Sequence, residues 1–326
     1  MEKINWGIIG CGDVTELKSG PAFSKVKNSA LVAVMRRDAA KAKDYAHRHH
    51  VPKWYTDAGL LINDTDVNAV YIATPPSTHE VYSIAALAAG KSVYVEKPMS
   101  VSYASATNMV NAAAEKKGKL VVAHYRREQP LFKKLKQLLA DKVIGDIRFV
   151  QLDFCKKALT PEALLDNRNA WRVDASIAGG GLFYDLAPHQ LDLMHYFFGE
   201  AKTINGIATN QAGLYKADDT VTGNILFKNG VVFNGLWSFG ITNADEKDYC
   251  EITGTTGKIS FSVFDGHTIT VTHNTSTEQF NFDALQHVQQ PMIEQVVSYF
   301  LGEAPNPCSG NDGALIMKWI EKMCGK

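Results

Sequence analysis

The chain lacks a charge excess of either sign: among its 326 residues, 34 lysines and arginines stand against 34 aspartates and glutamates. A formal net charge of zero argues against a nucleic-acid binder, which normally shows a basic surplus. It also gives no long-range steering of an anionic partner. Cysteine is sparse, and Cys11, Cys155, Cys250, Cys308 and Cys324 are scattered, odd in number and without CxxC spacing. That pattern suggests neither a disulfide framework nor a zinc site, so no metal is expected, and a reducing, cytoplasmic setting is. No apolar run is long and uninterrupted enough to span a bilayer, so no membrane partner is expected. The first strand begins at Ile4 without the charged and apolar segments of a secretion signal before it. Internal repeats and low-complexity tracts are absent as well.

What is present is a chain of 45% hydrophobic content, long enough for two domains. Up to about residue 123, short apolar runs alternate with amphipathic ones. Strands are expected at Ile4–Gly10, Leu31–Met35, Ala69–Ala73, Ser92–Val95 and Leu120–Ala123, the last four apolar almost throughout. Helices are expected at Ala39–His49, His79–Ala89 and Tyr103–Lys117, and the alternation predicts a doubly wound parallel sheet. The first helix, opening near Asp13, meets Gly20-Pro21, which predicts a break and a restart with Pro21 in the first helical turn.

After Gly145 the texture changes. Strands are expected at Ile147–Phe154, Thr203–Gln211, Thr220–Phe227, Val231–Phe239, Tyr249–Thr253, Lys258–Ser262 and Thr268–Thr272, several of them alternating. Asn- and Gly-rich turns at Lys228–Gly230 and Gly254–Gly257 join them. One long helical pattern, Gly181–Phe198, interrupts, and two more, Pro291–Leu301 and Asn311–Met323, close the chain. The fold class is therefore α/β followed by α+β: a doubly wound domain over residues 1–123, then a large, mostly antiparallel open sheet within 124–326. Helix 311–323 is able to pack back on the first domain.

Gly10-Cys11-Gly12-Asp13-Val14-Thr15 follows the first strand and opens a helix. Gly10 permits the tight turn, and Gly12 lets backbone N–H groups approach a pyrophosphate at the helix start, with Asp13 and Val14 lining it. Thr15 stands where Gly or Ala is usual, which sets close helix–strand packing in question. At the end of the second strand, Arg36 and Arg37 occupy the place where an NAD enzyme carries an acid. Guanidinium groups suit a 2′-phosphate, so NADP is expected in preference to NAD. The competing reading makes both arginines solvated surface charges, with Asp38 capping the next helix.

Three further segments carry a resemblance: Thr74-Pro75-Pro76-Ser77-Thr78-His79; Ala89-Gly90-Lys91 through Glu96-Lys97-Pro98; and Gly179-Gly180-Gly181 through Asp185-Leu186-Ala187-Pro188-His189. In order and over essentially the whole chain, they resemble the glucose–fructose oxidoreductase / inositol dehydrogenase / rhizopine-catabolism (Gfo/Idh/MocA) family. The resemblance implies an N-terminal Rossmann domain that binds NAD(P), a sheet-rich second domain and a sugar-like substrate held between them. It implies homodimers or homotetramers formed through the open face of the second sheet. It further implies cofactor contacts at Thr74, Pro75, His79, Glu96 and Lys97.

The residues themselves support a site. Lys97 ends a buried strand at the carboxyl edge of the parallel sheet, where an ammonium can polarise a carbonyl or stabilise an alkoxide. Asp185 and His189 stand at i and i+4 of one helix and can face one cleft, the imidazole as proton relay and the carboxylate as its orienter or a hydroxyl acceptor. Trp171, Arg172, Arg126 and Arg127 are candidate walls of a pocket for a hydroxylated substrate. Tyr94 and Tyr184 are better suited to core packing. His47 and His50 share a helical face but end a helix, where positive groups are favourable without a metal. His195 is expected to be packed or exposed, and Asp218-Asp219 to be turn acids. The predicted activity is hydride transfer between a nicotinamide and a sugar, polyol or related hydroxy/keto compound. The alternative is a non-catalytic sensor on the same fold, which would need the pocket without the proton-transfer set.

Overall fold

The apolar runs of the N-terminal part are too short for helices and form a six-stranded parallel sheet. Its strands are β1 (Ile4–Ile9), β2 (Ser29–Met35), β3 (Lys53–Tyr55), β4 (Ala69–Ile72), β5 (Ser92–Val95) and β6 (Leu120–Val122), in the order β3-β2-β1-β4-β5-β6. Val70, Tyr71, Ile72, Val93, Tyr94 and Val95 are fully buried, as strands covered on both faces must be. The edge strand β3 escapes the sequence reading, because three half-covered residues give no periodic signal. The break at Gly20 is present. Helix Asp13–Leu17 stops before it, and Ala22–Lys25 follows with Pro21 at the N-cap, one place earlier than expected.

A computed structural model describes residues 2–326, and the chain divides into two units, Met1–Gln129 with Leu285–Met317, and Pro130–Ala284 with Lys318–Lys326. The first unit thus includes helix Gln290–Leu301, whose Met292, Ile293, Val296 and Phe300 are buried. Lys119 holds the end of this helix by donating to the carbonyls of Tyr299 and Phe300 at 3.0 and 2.8 Å. Gly310 and Gly313, at the start of helix Gly310–Met323, lie against Leu120 and Val122 of β6.

The second unit is built on an eight-stranded sheet of β7 (Ile147–Lys157), β8 (Ala201–Thr209), β9 (Thr220–Phe227), β10 (Val232–Ile241), β11 (Lys247–Gly254), β12 (Gly257–Phe261), β13 (Thr268–His273) and β14 (Thr277–Asn281). The order is β14-β13-β12-β11-β7-β10-β9-β8, antiparallel except where β7 and β10 run parallel. Strand β14 is mostly exposed and polar and so carries no alternating apolar pattern. Helix Pro130–Ala140 was likewise not anticipated, although Leu131, Phe132, Leu135 and Leu138 bury one side of it. Alternate residues such as Phe154, Ile225, Phe233, Trp237 and Ile252 form the covered face of the sheet. Helix Gly181–Phe198 packs there, with Trp237 Nε1 donating to Gln190 Oε1 at 2.6 Å and Phe183 5.1 Å from the Trp237 ring. On the opposite face Phe149, Ile207 and Val232 are exposed at 44%, 69% and 38%, so apolar side chains stand in water on three strands. Among the described residues no helix is long and apolar enough to cross a membrane.

Candidate active site

In the first unit, β1, β4 and β5 end at one level, with Ala73 N–H donating to Ile9 O and Glu96 N–H to Ile72 O, both at 2.9 Å. The turn after β1 closes tightly. Gly10 has φ +94°, and a Cβ there would lie 2.8 Å from Thr74 Cγ2 and 2.9 Å from Thr74 N, so only glycine fits. Gly12 is the N-cap of helix Asp13–Leu17 and caps it with no side chain, and a Cβ on it would meet nothing nearer than Gly10 O at 3.9 Å. Open space over uncapped helical N–H groups is what a pyrophosphate requires, and the cradle fits a dinucleotide. Thr15 resolves the doubt it raised. Fully buried, its hydroxyl turns back to Gly12 O at 2.7 Å, and its own carbonyl accepts from Tyr45 Oη at 2.8 Å.

Arg36 is half-buried and donates from Nη1 to Cys11 O at 3.1 Å, so its guanidinium lies along the glycine turn. Arg37 is exposed, and Asp38 accepts from Lys41 N–H at 3.1 Å as the helix cap. The Cys11 thiol is buried and pushed up to about 11 by that burial, which leaves it unreactive near neutral pH.

Two residues expected to touch the cofactor, His79 and Glu96, are buried. His79 is fully buried between backbone carbonyls, with Nε2 2.7 Å from Thr74 O and Nδ1 3.1 Å from Pro98 O. Its ring ties the Thr74-Pro75 loop to the cis Lys97–Pro98 peptide. Burial pushes the imidazole down to about 4, against the two carbonyls, which pull it up. Glu96 is 6% exposed; it accepts from Tyr71 Oη, from Gln289 Nε2 at 2.6 Å and, on its other oxygen, from the Lys97 N–H at 3.1 Å. Gln289 Oε1 in turn accepts from Tyr94 Oη at 3.0 Å. Burial pushes both tyrosine hydroxyls well above their usual range, so they act as hydrogen-bond donors in the core. Lys97 itself is half-buried at the end of β5. Arg127 is buried, with Nη2 3.7 Å from Asp312 Oδ1. Arg126 is half-buried, its guanidinium 5.6 Å from the Tyr125 ring.

In the second unit, Gly180 and Gly181 open helix Gly181–Phe198. Gly181 has φ +77°, and a Cβ there would stand 2.6 Å from Ala217 Cβ. The adjoining loop is tied by Asp219, which accepts from the backbone of Gln211 at 3.0 Å and Ala212 at 2.7 Å, a turn acid as expected. Pro188 lies inside the helix between Asp185 and His189 and has no N–H for the carbonyl of Tyr184. The structure brings Trp171, Arg172 and Asp185 together. Arg172 Nε donates to Asp185 Oδ2 at 3.1 Å, and its guanidinium lies 4.5 Å from the Trp171 ring. His189 is 4% exposed, with the Phe264 ring edge-to-face at 5.4 Å and 84°. Sequence spacing shows neither the Asp185–Arg172 pair nor the Phe264–His189 contact. Tyr94 and Tyr184 are core residues, and His195 is packed on Trp319 with its Nδ1 3.0 Å from Gly199 O. Among the described residues no group of three or more His, Cys, Asp or Glu side chains is arranged to hold a metal.

The glycine turn and the level strand ends belong to the first unit, and the Asp185–His189 helix belongs to the second. Residues 4–124 match the model described as an oxidoreductase family with an NAD-binding Rossmann fold, and residues 132–260 match that of the GFO/IDH/MocA C-terminal domain. Oxidoreductase P35 of Formosa agariphila is 45% identical over 99% of both chains. Trans-1,2-dihydrobenzene-1,2-diol dehydrogenase of Sus scrofa is 31% identical over 78% of this chain and 72% of its own. A solved oxidoreductase of Thermotoga maritima superposes with a TM-score of 0.87 at 25% identity, covering 98% of this chain and 95% of the other. With both domain models matched in order and a relative alike from end to end, this chain belongs to the Gfo/Idh/MocA family of oxidoreductases.

Proposed function

We propose that the chain is an NADP-preferring dehydrogenase or reductase acting on one hydroxyl or carbonyl carbon of a diol, sugar or polyol. The observation that carries this reading is Lys97 at the carboxyl end of β5, level with the glycine turn that fits a dinucleotide. An ammonium there donates to the reacting oxygen, lowering the energy of the alkoxide-like charge that develops as hydride moves. His189 takes the hydroxyl proton in the oxidative direction and returns it in the reductive one. Asp185 and Arg172 hold a neighbouring hydroxyl, the carboxylate accepting and the guanidinium donating. Trp171 and Arg126 belong to the same reading as walls for the substrate. When bound, the nicotinamide supplies or takes the hydride. Gly10, Gly12, Asp13 and Val14 hold the pyrophosphate, Thr74 and Pro75 border it, and Arg36 with Arg37 meets the 2′-phosphate.

The diol-dehydrogenase relative supports a vicinal diol among the first substrates to try. Cyclic diols, anhydro sugars and polyols incubated with NADP or NAD should give absorbance at the nicotinamide band for at least one compound. A panel without turnover under either cofactor would count against the reading. The exposed apolar residues Phe149, Ile207 and Val232 support a homodimer or homotetramer formed on that sheet face. The five free cysteines, four of them buried, support work in the reducing cytoplasm.

A further inference from the structure

The loop after β12 is held far more firmly than its length requires. Asp248, on β11, accepts three consecutive backbone N–H groups: Val263 at 3.1 Å on Oδ1, and Phe264 and Asp265 at 2.6 and 3.1 Å on Oδ2. Successive N–H groups converging on one anion fix the backbone of the turn that presents them. From outside, Lys156 Nζ reaches Asp265 Oδ2 at 3.2 Å. The fixed turn carries one large side chain, Phe264, whose half-buried ring meets Phe154 at 4.9 Å and the imidazole of His189 at 5.4 Å and 84°.

A histidine ring has a broad, two-fold torsion about its last bond, so its plane must be set by what surrounds it. An aromatic edge meeting a ring face is a directional contact that selects one plane. We infer that Phe264 is a positioning residue for His189, and that Asp248 acts through it by locking the Val263–Asp265 turn. The inference rests on the reading of His189 as proton relay. It adds that the relay's direction is set from the sheet side, by residues about 60 to 75 positions later in the chain. A relay has to point its nitrogen at one oxygen within hydrogen-bond reach, so a ring free to rock transfers its proton less efficiently.

The test uses the full chain with 13C-labelled histidines, and His189→Asn identifies the His189 ring resonance among the ten histidines. Phe264→Leu keeps apolar bulk and removes the ring, so the His189 resonance should move further than any other histidine's. Phe264→Tyr should return it close to the wild-type position. Asp248→Asn, which leaves the aromatic in place, should move or broaden the same resonance, because an amide offers one acceptor oxygen where the carboxylate offers two. On a substrate that turns over, Phe264→Leu should lower kcat about tenfold at unchanged NADPH affinity, within the loss that a displacement of about 1 Å can cause. A His189 resonance that stays in place in Phe264→Leu, with the protein folded by circular dichroism, would overturn the inference. A response to Phe264→Leu but none to Asp248→Asn would overturn the role of Asp248. Full turnover in His189→Asn would instead remove the relay reading and leave the spectral result standing, so the two failures are distinguishable.

Discussion

Gln289 Nε2 donates to Glu96 Oε1 at 2.6 Å, although the two residues are 193 positions apart. The segment that returns to the first unit thereby reaches under the strand end that carries Lys97. Gln289→Met keeps the volume but removes the amide's hydrogen bonds to Glu96 and Tyr71 and from Tyr94, leaving a buried carboxylate one donor short and Tyr94 without this acceptor. Hydrogen bonds to charged groups contribute about 1.5–3 kcal/mol each, so chemical denaturation should show a loss of about 2–4 kcal/mol. A loss below about 0.5 kcal/mol, the scale of an ordinary surface substitution, would show that the network does not support the strand end.

The parallel sheet was legible because doubly covered strands leave continuous apolar runs, and the second sheet because its strands alternate. Gly10, Gly12, Lys97, Asp185 and His189 were legible because glycine turns, strand ends and helical spacing are local signals. Glu96–Gln289, Arg172–Asp185 and Phe264–His189 were not. Each joins residues whose separation in sequence encodes nothing about their separation in space. His79 carries a second signal that sequence does not show: its ring holds the Thr74 and Pro98 backbone segments together.

Glu16 provides a pH-dependent test of the helix that follows the glycine turn. Arg48 donates to both of its oxygens at 2.8 and 2.9 Å, and His49 Nε2 lies 2.9 Å away. The Arg48 hydrogen bonds foremost, with His49 assisting, hold its carboxyl down at about 2. A depressed folded pKa contributes stability that is fully present above the unfolded value of about 4.3 and is lost as pH falls towards 2. Glu16→Gln should therefore lower stability at pH 7 by about 1 kcal/mol or less, since the pair is partly solvated, and the difference should close between pH 4.5 and 2. A deficit that is the same at pH 7 and pH 2.5 would place the effect in packing instead of charge.

The proposed preference for NADP rests on Arg36, folded along the glycine turn by its contact with Cys11 O. A guanidinium–phosphate contact contributes about 1.5–3 kcal/mol, tens-fold in affinity. NADPH should quench tryptophan fluorescence at concentrations well below those needed for NADH, and Arg36→Asp should remove most of that gap. Equal affinities in the wild type would make both arginines surface charges and return the preference to NAD.

Lys97 is the most direct point at which to test the proposed chemistry. Lys97→Met keeps the length of the side chain at the end of β5 and removes the ammonium. Measured on the best substrate of the diol and sugar panel, turnover should fall at least about a hundredfold, the scale of losing a proton-transfer or oxyanion-stabilising group. Affinity for NADPH, read by fluorescence, should stay within about twofold of the wild type, since the glycine turn and Arg36 are untouched. Turnover near the wild-type rate in Lys97→Met would contradict the assignment of this chain's hydride-transfer site.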